Sequence, residues 1–287
     1  MFDRTVTKKQ NLPYRTKLDH LADMLRTLCE SHTRRKCRLL ADAAHGVGEM
    51  ITRLPSNCDL ISRLRSDARL FRPVEAVPPN AIRKAGRPRF RGPEMDKAAV
   101  FAKRKRRSAA TLTLYGKAKK VEWVTVLACL YQAPSRLLRV VIVQFPEEKG
   151  RKPALVTLYS TDLDMSPAEI IEAYCRRWSI EETFQDAKGH LGLDEPQCRS
   201  RKAVKRMVPT ILYLHAILWL WAGRERLGRK AEKRKAPWNR STVNLSMGDI
   251  LEIAREKHLA EMIKSDESSG PNLRNLTISL GQWLRTA

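Results

Sequence analysis

The segment Ile170–Leu193 (IIEAYCRRWSIEETFQDAKGHLGL) concentrates residues able to hold a metal ion and to meet phosphate. Tyr174, Arg177, Glu181 and Lys188 stand at offsets 0, 3, 7 and 14. At the pitch of an α-helix these fall within roughly 60° of one another. Ala173, Ile180, Phe184, Ala187 and Leu191 form the adjoining apolar face. A carboxylate on the edge of a packed helix is held rigidly and still faces a groove. Glu181 could there ligate a divalent cation, with Arg177 and Lys188 meeting phosphates. An ordinary amphipathic helix would carry Arg177 and Glu181 as an i,i+4 ion pair worth about 0.3 kcal/mol. That accounts for one pair and leaves Tyr174 and Lys188 on the same line unexplained.

A second acid stands far upstream. The apolar run Cys37–Ala41 (CRLLA) ends on Asp42, and small residues follow it, Ala43-Ala44-His45-Gly46. A helical stretch to about Leu54, the breakers Pro55, Ser56 and Asn57, and a second β-forming run at Leu60–Leu64 complete a compact βαβ unit. Strands joined in this way are expected to be parallel. Asp42 then sits at the carboxyl end of a parallel strand, where α/β folds place functional groups. A turn or helix-capping aspartate fits the same position.

The elements that must position these acids follow from periodicity. Leu21, Leu25 and Leu28 predict a helix over 18–29. Residues 72–110, with Pro73, Pro78, Pro79, Pro88 and Pro93 among basic residues, read as an exposed loop or extended insertion. Leu112–Tyr115, Val121–Tyr131, Leu137–Phe145 and Ala154–Tyr159 read as an antiparallel set, expected to lie outside the sheet of the Asp42 strand. Ser166, Pro167 and Glu169 mark a helix start, with an N-cap hydroxyl, a first-turn proline and a capping-box glutamate. The helix should run unbroken to about Gly189. A further helix is expected over 203–226, its apolar stretch Met207–Gly223 buried in the core, and another over Leu251–Ile263.

Charge narrows the partners. Lys+Arg 55 against Asp+Glu 31 gives a net +24 in 287 residues, which favours a polyanion, most simply nucleic acid. Eleven Lys or Arg lie within 81–107 against Glu94 and Asp96, and Ala85-Gly86-Arg87-Pro88-Arg89 resembles a short minor-groove element. Arg199–Arg206 and Arg224–Lys235 add phosphate contacts without sequence readout. The six cysteines form no CxxC pair and no zinc-finger spacing, so they read as free thiols of a reducing cytosol. Met1–Gln10 is polar and charged, unlike a secretory signal, and no membrane partner is expected.

The Tyr-x2-Arg-x3-Glu-x6-Lys spacing resembles the Y-R-E-K signature of insertion-sequence DDE transposases. The stretches STDLDMSP (Ser160–Pro167), AKGHLGLDEPQCRSRKAV and DLISRLRSDARLF (Asp59–Phe71) are similar to that family as well. The resemblance covers about residues 14–225 and implies an α/β fold, a partial RNase H-like core with a largely β insertion and a helical C-terminal part. On this reading residues 1–65 are an N-terminally incomplete first part of the core and 66–160 a basic loop plus β-rich insertion. Residues 161–226 are the second part of the core, and 227–287 a basic, loosely organised region. The resemblance makes Glu181 the last acid of the triad, Asp42 the second, and Tyr174, Arg177 and Lys188 contacts to DNA, to which Arg87 and Arg89 add. It implies Mg²⁺, with Mn²⁺ as a substitute, held by Asp42 and Glu181 for cleavage and joining of double-stranded DNA, transposon ends and target alike. A homodimer on the DNA is compatible with it. It also implies a cytoplasmic, nucleoid-associated protein. His45 stands where a tyrosine is more usual in that family. The first acid is not found: Asp3 lies in the polar tip and Asp19 on the first helix. A fragment inactive in DNA cleavage is therefore expected. The alternative is a basic nucleic-acid-binding protein without catalysis.

Overall fold

A computed structural model describes residues 13–74, 90–145, 154–195, 198, 200–227 and 245–268. Arg87 and Arg89 of the GRPR element lie outside these residues, as does Asp3 and most of the basic run Arg224–Lys235. The chain divides into two compact units, Met1–Trp178 and Ser179–Ala287.

The first unit begins with α1 (Lys17–Ser31), β1 (Cys37–Ala41), the short α2 (Gly48–Thr52) and β2 (Cys58–Leu64). Strands β1 and β2 pair in parallel, Cys37 opposite Cys58 and Ala41 opposite Ser62, as the βαβ spacing requires. Then come β3 (Leu70–Phe71), α3 (Ala98–Arg104), β4 (Ser108–Leu114), β5 (Lys117–Leu130), β6 (Ala133–Gln144), β7 (Leu155–Ser160) and α4 (Pro167–Arg176). All pairings among β3 to β7 are antiparallel. The β4–β5 hairpin turns through Tyr115 at φ 53° and Gly116 at φ 72°, the two positive dihedrals that a tight two-residue connection demands.

The expectation that this antiparallel set lies outside the Asp42 sheet is wrong. Strand β7 pairs antiparallel with β2, Ile61 opposite Ser160, so one seven-stranded sheet runs β1-β2-β7-β6-β5-β3, with β4 also on β5. The reason is visible in β2, whose burial is nearly continuous from Cys58 to Ile61. A strand buried on both faces needs a neighbour on each edge and cover above and below. Alternate residues serve the two faces. Leu60, Val140, Ile142 and Tyr159 pack with Leu25, Cys29 and Met50 of α1 and α2. Ile61, Val141, Val143 and Leu158 pack with Ile170 and Ile171 of α4. The first unit is thus helix, sheet and helix in three layers.

The start of α4 is as the sequence predicts: Ser166 caps, Pro167 opens the first turn, and Glu169 returns a bond to the cap. Its end is not. In place of one helix to Gly189, the chain leaves α4 at Arg177–Trp178 and begins α5 (Ser179–Leu191). Arg177 N and Trp178 N donate to Tyr174 O and Cys175 O at 3.1 and 3.2 Å, the tightened i→i+3 bonds of a finishing turn. The exposed Trp178 ring meets Tyr115 edge-on, with centroids 6.5 Å apart.

The second unit contains α5, α6 (Arg201–Arg224) and α7 (Met247–Ser268). Helix α6 corrects a second expectation. Its apolar stretch is not a buried core helix: Tyr213 is 71% exposed, Leu220 74% and Ile217 58%. Only one side is used within the unit, where Ala222 joins Leu227 and Ile250, backed by Leu218 and Trp221. His215, buried, lies 3.4 Å from Asp186 of α5 and accepts from Trp219 Nε1 at 3.2 Å. By length and composition Lys202–Arg224 is apolar enough to cross a membrane.

Candidate active site residues

Asp42 lies just past the end of β1, and its loop is built around its own carboxylate. Oδ1 accepts from Ala44 N and His45 N, both at 3.1 Å, and lies 2.7 Å from His45 Nδ1, which must donate because an ionised carboxylate only accepts. The Asp42 carbonyl accepts from Gly46 N at 2.9 Å and Ser62 Oγ at 2.9 Å. The side chain remains 50% exposed, and Oδ2 takes part in none of these bonds. Burial opposes ionisation here, but the His45 ring, the two amides and the charge of His45 outweigh it, holding the Asp42 carboxyl below its ordinary value. His45, where the resembling family usually has tyrosine, thus sets the rotamer of the acid.

The small residues after Asp42 have a steric cause. A Cβ on Gly46 would stand 2.3 Å from Ser62 Cβ and 3.1 Å from the Tyr159 hydroxyl. The same hydroxyl donates to Gly46 O at 2.7 Å from a fully buried ring. Ser62 and Tyr159 therefore brace the loop from β2 and β7. Sequence reasoning missed both, since Tyr159 reaches across 113 positions and no local pattern announces it.

Of the four residues read as one line, Tyr174 and Arg177 belong to the first unit. The Arg177 guanidinium stands over the Tyr174 ring at 5.7 Å. Glu181 and Lys188 belong to the second unit, two turns apart on one face of α5. A single straight helical stripe does not exist, because the turn at Arg177–Trp178 interrupts it. Glu181 is half-buried in the first turn of α5, where the helix dipole favours a carboxylate. Lys188 pairs with Asp194 at 3.0 Å, both exposed. The apolar face expected beside them is covered only in part: Ala173 and Ala187 are buried and Leu191 is half-buried, whereas Ile180 and Phe184 are exposed. One signal for the break was present. Ser179-x-x-Glu182 repeats the Ser-x-x-Glu spacing that opens α4 at Ser166 and Glu169.

A further acidic cluster was not foreseen. Asp59 at the start of β2 and Asp162 just after β7 are buried, and Lys36 Nζ bridges them at 2.8 and 2.9 Å. Thr161 Oγ1 donates to Asp59 at 3.0 Å, and Arg38 lies 3.7 Å from Asp162. The Lys36 ammonium holds the Asp162 carboxyl below its usual range. With a lysine between its carboxylates this cluster is an ion-pair staple at the end of the sheet opposite Asp42. Asp19 is likewise structural, closing the capping box of α1 with Thr16 and taking Arg53 at 2.7 Å.

For a divalent metal the donors are of the right kind. Asp42 and Glu181 offer hard carboxylate oxygens, and Oδ2 of Asp42 is clear of its loop's own bonds. Among the described residues no group of three or more His, Cys, Asp or Glu side chains stands together as a metal cluster. A family model described as "Transposase DDE domain" matches residues 13–219. No curated protein matches the chain.

Proposed function

The chain belongs to the transposase DDE-domain family, and on that footing we propose that it carries two acids of a centre that cuts and joins DNA at the ends of an insertion sequence. The family acts on DNA and uses divalent metal ions. In this reading the sheet of the first unit is an RNase H-like core, Asp42 is its second acid and Glu181 its last. Tyr174, Arg177 and Lys188 are the remaining members of the Y-R-E-K signature, and the cation is Mg²⁺, replaceable by Mn²⁺. When bound, such ions activate the attacking oxygen and stabilise the leaving one in an in-line displacement.

The chain's own residues have separable roles. Asp42 presents Oδ2 while His45 and the amides of Ala44 and His45 hold Oδ1, so the acid is oriented before any ligand arrives. The Arg177 guanidinium, over the Tyr174 ring at 5.7 Å, carries a planar donor fork suited to phosphate. The +24 charge supplies the attraction to DNA, which should weaken steeply as salt rises. The reading places the protein with DNA in the cytoplasm. A homodimer on the DNA is compatible with this reading.

The observation that carries this is the position of Asp42: at the carboxyl end of a parallel strand, locked through one oxygen and open through the other. Iron-mediated hydroxyl-radical mapping tests it. Fe²⁺ standing in for the metal should cut the chain near residues 42 and 181 and nowhere else as strongly. Asp42→Asn and Glu181→Gln should each abolish both cuts. Cuts at one position that survive loss of the other acid would show that the two acids do not share a metal. A second assay offers Mn²⁺ and DNA bearing the element's ends. With no first acid identified, and Asp19 engaged in the α1 cap and by Arg53, the chain should bind these ends without cleaving them. Cleavage that vanishes on Glu181→Gln would show that a further acid completes the site.

A further inference from the structure

Two exposed aromatic rings and an arginine meet at the corner of the sheet where β3 joins β5. Tyr131 forms the tight β5–β6 turn and is 52% exposed, and Phe90 is 54% exposed. The Arg91 guanidinium lies 3.8 Å from the Tyr131 centroid and 4.7 Å from that of Phe90. Phe71, buried beneath, is 6.1 Å from Tyr131 and 5.1 Å from Arg91. Arg69 pairs with Glu94 through two contacts, at 2.7 and 2.5 Å.

A fastening role for the loop would be the plain explanation, but the loop is already fastened by backbone. Gly92 N donates to Arg72 O, Arg72 N to Pro93 O and Met95 N to Leu70 O, at 3.2, 3.0 and 2.8 Å. Stability thus asks little of the Phe90 and Tyr131 rings, which leave much of their surface in water. Exposed aromatics occur elsewhere on the surface, Phe184 and Tyr213 among them, but these two flank one guanidinium. Rings of this kind stack on bases, and a guanidinium beside them meets phosphate. The bases of a closed duplex keep their faces to themselves, so the matching ligand is a strand with unstacked bases. Arg69 and Arg91 both stand over the Phe71 ring, at 5.6 and 5.1 Å, and Glu94 pairs with Arg69, so the charge of the corner fits a polyanion better than a neutral protein surface.

Resting on the DNA reading above, we propose that Phe90, Arg91 and Tyr131 form a platform for single-stranded or locally opened DNA. Strand cutting and joining produce such segments, and a platform separate from Asp42 would hold one while the acids act.

Fluorescence anisotropy on the full chain tests this, with labelled oligothymidine of about 16 nucleotides and a duplex of equal length. The Phe90→Leu/Tyr131→Leu double variant should lose about tenfold in affinity for the single strand, the size of one stacked base, and less than about twofold for the duplex. Tyr131→Phe, which keeps the ring, should bind as the parent does. Photocrosslinking to bromodeoxyuridine should mark the peptides holding residues 90 and 131. Equal losses on both DNAs, or no loss on the single strand, would overturn the platform. If circular dichroism shows the double variant misfolded, Phe90→Leu alone decides, because that ring lies at the surface: no single-strand loss there overturns the proposal. A parent chain that binds neither DNA would sink the DNA reading itself, whereas normal duplex binding with indifferent single-strand binding sinks the platform alone.

Discussion

Asp42 and Glu181 carry the same chemical group on opposite kinds of support. Asp42 sits in a loop gripped by residues from β2 and β7, 20 and 113 positions away, inside a sheet covered on both faces. Glu181 sits on α5, where Ile180 and Phe184 face solvent and only Ala187 is fully buried. The Asp42 loop is braced from distant strands, while α5 keeps part of its apolar side in solvent. Non-local bracing makes a rotamer expensive to change, whereas a helix with an open apolar side offers that side to something else. Substitutions in both regions break or sharpen this contrast, and they should differ in size accordingly.

The largest effect belongs to Gly46→Ala. The new methyl would collide with the fully buried Ser62 side chain, whose Cβ would be 2.3 Å away. Overpacking of this kind should cost about 3 kcal/mol, read as a lower urea midpoint at unchanged slope. Adding Ser62→Gly removes the obstacle but also the bond to Asp42 O, so the pair should regain only part of the loss. Stability equal to the parent's would show that the loop is not braced.

Lys36→Ala comes next. It leaves Asp59 and Asp162 buried without their shared ammonium. A fully buried pair broken in this way costs more, but Lys36 is 59% exposed, so about 2 kcal/mol is expected. The sign with pH follows from Asp162, whose folded carboxyl is held below its unfolded value. Its contribution is complete at neutral pH and is lost as the pH falls below about 4. Acid titration by circular dichroism should therefore show the parent and Asp162→Asn converging as the pH drops. Parallel curves would mean that Asp162 is not stabilised by Lys36. Tyr159→Phe should cost less again, about 1 kcal/mol, because it strips one hydrogen bond from the Gly46 carbonyl and leaves the ring packed.

What the sequence disclosed divides along the same line. Local signals were legible: the capping box at Ser166, the parallel β1–β2 pair, the four-strand antiparallel run and the Asp42 strand end all follow from spacing within a few residues. Joining β7 to β2 was not, because antiparallel pairing between distant strands leaves no local trace, and the doubly buried β2 shows only a continuous apolar run. The unbroken helix to Gly189 failed differently. The interruption uses neither proline nor glycine, and the Ser179-x-x-Glu182 restart is easily read as part of the amphipathic pattern. Apolar content also misled at α6, since Tyr213, Ile217 and Leu220 are as apolar as core residues and face outward. Around Asp42 the strand end was legible, while the contacts of His45, Ser62 and Tyr159 with its loop needed coordinates.

Phe184→Ser should have the smallest effect, and its smallness is informative. The ring is 44% exposed on α5, one turn from Glu181. If it truly meets water, replacing it removes an exposed ring and exchanges one helix residue for another of about equal propensity. Surface changes of this kind stay within about 0.5 kcal/mol. Urea unfolding should then match the parent's, and hydrogen exchange along 179–191 should be unaltered. A loss of about 2 kcal/mol or more would instead mean that the face is covered in solution, since only a buried ring costs that much to truncate. Repeating the measurement across protein concentration would identify the cover: a cost that grows with concentration points to a second copy of the chain, and a constant one to the chain itself. In either case the apolar side of α5 would be covered as the Asp42 sheet is, and the contrast between the two supports would fall.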